Sequence, residues 1–156
     1  MSVNLKSLGI VIDLATRRRD EAGTMVAAAM WDLTQATQQL HQLTDYANDG
    51  ETKWRARATE GVSVALMQHQ RAFAEKIQQA VDFQANVIKQ KETALEATRR
   101  HLQEKEQALA TLKKVAERAR LAQQVAEHKR AQKQTDEMAM SMLAYQRREN
   151  EQEFLI

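Results

Sequence analysis

The chain has no cysteine and no proline, only four glycines in 156 residues, and aromatics at 4%. Each shortage excludes something. Without cysteine there can be no disulfide and no thiolate metal site, which fits a reducing compartment. Without proline, and with glycine only at positions 9, 23, 50 and 61, the chain lacks the turn residues that sheets and multi-loop folds need. No stretch approaches the ~20 apolar residues of a membrane-spanning helix. The opening "MSVNLKSLGIVIDLATRRRD" lacks an apolar run of signal-peptide length, because Asp13 interrupts "LGIVIDLA". The expectation is a soluble, intracellular protein that is not an integral membrane protein.

Catalytic constellations are also missing. The histidines at 41, 69, 101 and 128 make no i, i+4 ligand pair. Four scattered glycines cannot build a phosphate-cradling loop. Many carboxylates are present, but a narrow helical rod offers no cleft in which to desolvate one and shift its pKa. The sequence therefore predicts no catalytic, cofactor-binding or metal site, no cofactor, and no enzyme.

What remains is helix former. Ala, Gln, Glu, Lys, Arg and Leu dominate, and these lose least on entering a helix. From Leu5, steps of three and four give Leu5, Leu8, Ile12, Ala15, Arg19, Ala22, Val26, Ala29, Leu33, Ala36, Leu40, Leu43, Ala47, Gly50 and Trp54. A second run goes Met67, Gln70, Ala74, Ile77, Val81, Gln84, Ile88, Lys91, Leu95, Thr98, Leu102, Lys105, Leu109, Leu112, Ala116, Ala119, Gln123 and Ala126. A 3.5-residue repeat belongs to a helix that supercoils with a partner. Between the runs, Gly61 can take positive φ and end one helix, and Ser63 can cap the next. "NDG" at 48–50 is a rival turn signal, but Gly50 keeps the register of the first run.

A turn near residue 60 makes facing seam positions sum to about 120. Leu5 then meets Ala116, Leu8 meets Leu112, Ile12 meets Leu109, Val26 meets Leu95, Leu33 meets Ile88, Leu40 meets Val81, and Leu43 meets Ile77. The alanine layers fall opposite Lys105, Thr98, Lys91 and Gln84, where a long stem can cross the seam with its polar end in water. The predicted fold is all-α: a long antiparallel two-helix coiled-coil hairpin with an overhanging C-terminal helix. Residues 1–156 are read as one hairpin, with helix 1 at about 4–58, the turn at about 59–63 and helix 2 at about 63–150. At 1.5 Å per residue these helices would be roughly 80 and 130 Å long. Pairing uses up helix 1 near residue 116, so "EHKRAQKQTDEMA" (127–139) falls in the overhang.

Charge is uneven along the chain. Lys and Arg total 23 against 21 Asp and Glu, yet Arg99–Lys133 holds ten Lys/Arg and four Glu. The basic surface (Arg99, Arg100, Lys113, Lys114, Arg118, Arg120, Lys129, Arg130, Lys133) suits either solvent or an acidic protein surface. Nucleic acid is not expected, since no aromatics are interleaved and no basic region precedes the zipper. The heptads place Trp31 on the outer face, either as a scattered apolar residue or as a partner anchor. "MAMSMLAY" (138–145) is either a helix end or an adaptable methionine surface.

With these features in hand, the chain resembles the FliJ family of flagellar export proteins over nearly its whole length. The family has a two-helix antiparallel coiled coil of this size with a longer C-terminal helix. "KRAQKQTDEMA" is similar to its basic-Q-K-x-x-D-E-x-A stretch, and "HQRAFAEKIQQAV" (69–81) resembles the segment opening its second helix. The resemblance implies a non-catalytic stalk and regulator of the flagellar type III export apparatus. It would insert into the hexameric export ATPase, promote its activity, and link it to the membrane export gate and to export chaperones. The location implied is cytoplasmic, peripheral to the inner membrane at the flagellar base. Candidate ATPase contacts are Arg118, Arg120, Lys129, Arg130, Lys133, Asp136 and Glu137. Candidate gate contacts are Phe73, Ile77, Ala80 and Gln84, although the family often has histidine where Gln84 stands. The register buries Ile77 and Gln84 in the seam and leaves Phe73 and Ala80 beside it. The matching stalk of a virulence injectisome and a homodimerising structural spacer are the alternatives.

Overall fold

The computed structural model describes residues 4–155. It contains two helices, α1 (Leu5–Ala58, 54 residues) and α2 (Val64–Phe154, 91 residues), packed against each other as a helical hairpin. No strand occurs among the described residues.

Local chemistry sets the helix ends. Asn4 caps α1, its Oδ1 accepting from the Lys6 N–H at 3.0 Å. At the other end the Glu60 N–H donates to the Arg57 carbonyl and the Gly61 N–H to that of Ala58, both at 3.2 Å. Gly61 takes φ +92°, a region L side chains rarely enter, so the chain leaves the helix there. Ser63 then starts α2, its Oγ accepting from the Leu66 N–H at 3.1 Å. Gly50 stays inside α1: the heptad pattern outweighs a glycine cost of about 1 kcal/mol. At its C-terminal end α2 runs to Phe154, four residues past the expected boundary near 150.

Two compact units can be distinguished. The first is Ala15–Gln107. Here every α1 seam position from Ala15 to Trp54 is at least half-buried. Ala22 (1% exposed), Ala36 (4%) and Leu95 (7%) are the most enclosed apolar residues. The Gln84 Nε2 donates to the Ala36 carbonyl at 2.9 Å and to the Gln39 Oε1 at 3.1 Å. Positions 36 and 84 are a facing pair of the expected register. The expected water-directed tip is nevertheless wrong for Gln84. Its amide is turned inward and buried, because the alanine layer exposes an α1 carbonyl that can accept from it. Lys91, opposite Ala29, does cross the seam outward, its Nζ 4.0 Å from the Asp32 carboxylate. On one flank Tyr46 and Phe73 meet edge to face, centroids 6.2 Å apart at 70°. Met67 and Ala74, expected in the seam, are exposed.

The second unit joins the described parts of Met1–Leu14 and Ala108–Ile156. Leu109 is its most buried residue at 3% exposure, and Leu5, Leu8, Ile12, Leu112 and Ala116 are half-buried. Gln123, placed in the seam by its spacing, is exposed, since the expected facing residues run out near Ala116. Every described residue from Glu127 to Leu155 is exposed.

Leu109→Ala should lower unfolding stability in urea by about 2–5 kcal/mol, the cost of a cavity in a closed seam. Leu121→Ala, at 51% exposure, should change it by no more than about 0.5 kcal/mol. Gly61→Ala should cost about 1–2 kcal/mol through its positive φ alone.

Candidate functional site

Two surfaces could hold a partner, one in each unit. In Ala15–Gln107 the seam next to the turn fails to fill. The register opposes Ala47 to Ala74 and Gly50 to Gln70, so successive layers are small on α1 and small or flexible on α2. Neither layer can close the space between two helix backbones. The result is a cleft of about 380 Å³, walled by Tyr46, Trp54, Met67, Phe73 and Ile77. Three of the seven aromatic residues of the chain converge there. Trp54 is half-buried, whereas Tyr46 is 58% and Phe73 39% exposed. Glu51 and Arg71 mark the rim, and Arg55 holds Glu51 at 2.6 Å.

The cleft gathers two of the four expected gate contacts, Phe73 and Ile77. Ala80 is half-buried one heptad beyond Phe73. Gln84 is 9% exposed and committed to Ala36 and Gln39, so a partner could reach it only by breaking those bonds. Sequence reasoning missed Tyr46, Trp54 and Met67 as cleft walls. The signal was available in the facing pair Ala47–Ala74, a layer with nothing large on either side.

In the second unit, Arg118, Arg120, Lys129, Arg130, Lys133, Asp136 and Glu137 are all exposed. Among the described residues, none of these five cations pairs with an acid. After Glu137 comes a nine-residue stretch without charge, Met138–Gln146. Met138, Met140, Met142, Leu143 and Tyr145 in it are each at least 58% exposed. The segment thus presents cations, then two acids, then flexible apolar side chains, all on a single helix. Trp31 is 64% exposed, on the face its heptad position predicts. The described residues hold no group of three or more His, Cys, Asp or Glu placed to bind a metal. None of their helices is long and apolar enough to cross a membrane.

Trp54 should report on the cleft. In a Trp31→Phe variant, emission comes from Trp54 alone and should resist acrylamide quenching more than emission from a Trp54→Phe variant, where exposed Trp31 remains. Equal quenching would mean the cleft does not shelter its indole.

Comparison with known proteins gives one match. The model of the family described as "Flagellar FliJ protein" covers residues 5–150. No curated protein and no solved structure matches the chain.

Proposed function

The chain belongs to the flagellar FliJ family, and on that premise we propose that it is a non-catalytic stalk and regulator of the flagellar type III export apparatus. One observation carries the reading. The helix α2 continues from Glu127 to Phe154 with every residue exposed, and among the described residues the basic groups of that stretch form no ion pair. A polar helix of this kind is marginal by itself and gains stability when a larger body encloses it. In this reading, the hexameric export ATPase encloses it. Arg118, Arg120, Lys129, Arg130 and Lys133 face acidic groups of the ring, and Asp136 and Glu137 face basic ones. The uncharged methionine stretch beyond them adapts to whatever apolar lining it meets.

The second surface serves the membrane export gate. Phe73 and Ala80 are reachable without opening the seam, Ile77 is reached through the cleft, and Gln84 contributes by fixing the register behind them. Export chaperones are further partners, with Trp31 available as an anchor. The protein works at the cytoplasmic face of the inner membrane, at the flagellar base. The family match favours a flagellum over an injectisome, although both machines would use the same helical hairpin.

The purified protein should hydrolyse no ATP and should raise the turnover of its cognate export ATPase. Charge reversal at Lys129→Glu and Arg130→Glu should leave helicity and melting unchanged and weaken that stimulation. Full stimulation by the double variant would remove the basic segment from the mechanism. An absence of stimulation by the unaltered protein would overturn the reading.

A further inference from the structure

We propose that Met138, Met140 and Met142 form a reversible oxidation site: hydrogen peroxide converts their thioethers to sulfoxides, and the end of α2 loses its helix as a result. The chain has no cysteine, so its sulfur chemistry is that of the thioether alone. It holds seven methionines, six of them among the described residues. These six fall into two groups. Met25, Met30 and Met67 are 52%, 48% and 53% exposed and belong to the unit Ala15–Gln107, where α1 and α2 pack together. Met138, Met140 and Met142 are 69%, 71% and 67% exposed, at alternate positions of a stretch in which every described residue is exposed. Met138 and Met142, four apart, share one face of the helix, and Met140 lies on the other. Gln134, Glu137 and Ser141 line a shallow groove with Met138 and Met142, a polar setting open to water.

Exposure matters because of how the reaction runs. A lone pair of the sulfur attacks one peroxide oxygen. An S–O bond forms, the O–O bond breaks, and the leaving hydroxide takes the proton of the S–OH group and becomes water. Sulfur is oxidised by two electrons, and the peroxide is reduced by two. Charge separates on the way, so a thioether surrounded by water reacts faster than one set against a neighbouring helix. The product has a different effect on the backbone. Methionine is a good helix former. Its sulfoxide is polar, and the new oxygen accepts from backbone N–H groups, competing with the helix as Ser and Asn side chains do. Packing offsets such a loss where the helices are paired. From Glu127 onward every described residue is exposed, and a polar helix of that length is marginal by itself. Oxidation therefore melts the chain around Met138–Met142 and leaves the buried layers at Ala22, Ala36, Leu95 and Leu109 intact. Repair follows from the same geometry. A methionine sulfoxide reductase must take the side chain into its own active site, and a melted chain end can enter it. Two thiols supply the electrons, the sulfoxide oxygen leaves as water, and the thiols become a disulfide.

The test treats the full-length protein with a limiting amount of hydrogen peroxide. Peptide mapping by mass spectrometry should find the first added oxygens at Met138, Met140 and Met142, ahead of Met25, Met30 and Met67. Helical ellipticity should fall by roughly a tenth to a fifth, because the exposed end of α2 supplies about a fifth of the helix. The melting temperature of the remaining hairpin should not change. Incubation with dithiothreitol and the two reductases, one for each sulfoxide epimer, should restore the signal. A variant with Met138→Leu, Met140→Leu and Met142→Leu keeps apolar helix formers but has no sulfur there. The same dose of peroxide should leave its ellipticity unchanged. Earlier or equal oxidation of Met25, Met30 or Met67, full helicity of the oxidised protein, an equal loss in the triple variant, or no recovery with the reductases would each overturn the proposal. None of these readouts involves an ATPase, so the oxidation site and the stalk reading stand or fall separately.

Discussion

The seam between α1 and α2 is the constraint on which everything else rests. It has no second layer behind it. A side chain between two helices is covered on two sides and open to water on the others, so most seam residues are only half-buried and few are enclosed. Burial per residue is low, and the hairpin gains its stability by repeating the contact over many turns. Register then becomes decisive, because a slip would put large side chains against large ones and lose the alanine layers. The buried Gln84 amide, donating to the Ala36 carbonyl 48 residues away, opposes such a slip. A displaced register would leave that amide without a partner in an apolar layer, which costs more than the bond contributes.

A thin seam also decides what kind of work the chain can do. Two helices display long faces to other proteins. Where the seam is well matched it shuts. Where small residues face each other, at Ala47 and Ala74, it gapes and the aromatics nearby become walls of a cleft. The cleft thus follows from the same rule that closes the rest of the seam, applied to side chains too small to satisfy it.

Charge and apolarity are exposed unevenly over the two helices. Beyond Ala126 the exposed stretch of α2 carries Glu127, then cations that form no ion pair among the described residues, then two acids and a methionine-rich segment, whereas the cleft next to the turn is walled mainly by aromatic and apolar side chains. Contacts of the first kind favour fast, salt-sensitive association, and contacts of the second kind favour slow, salt-insensitive docking.

The sequence by itself determined the helical class, the turn and the register. Composition left little material for sheets, Gly61 with Ser63 was the one of two turn signals that broke the register of the heptads, and a turn there pairs the two independent heptad runs at positions summing to about 120. These are local and periodic properties, so a linear reading reaches them. It also placed Trp31 and the basic residues from Arg118 onward on the surface, because helical phase fixes direction. The tertiary structure alone decided the rest. Gln84 turns inward because an α1 carbonyl lies within reach, which depends on how closely two backbones approach. Met67 and Ala74 fall out of the seam because side-chain volumes near the turn do not fill it, which depends on what stands opposite. Periodicity gives the direction in which a side chain points, and only packing in three dimensions tells whether anything is there to meet it.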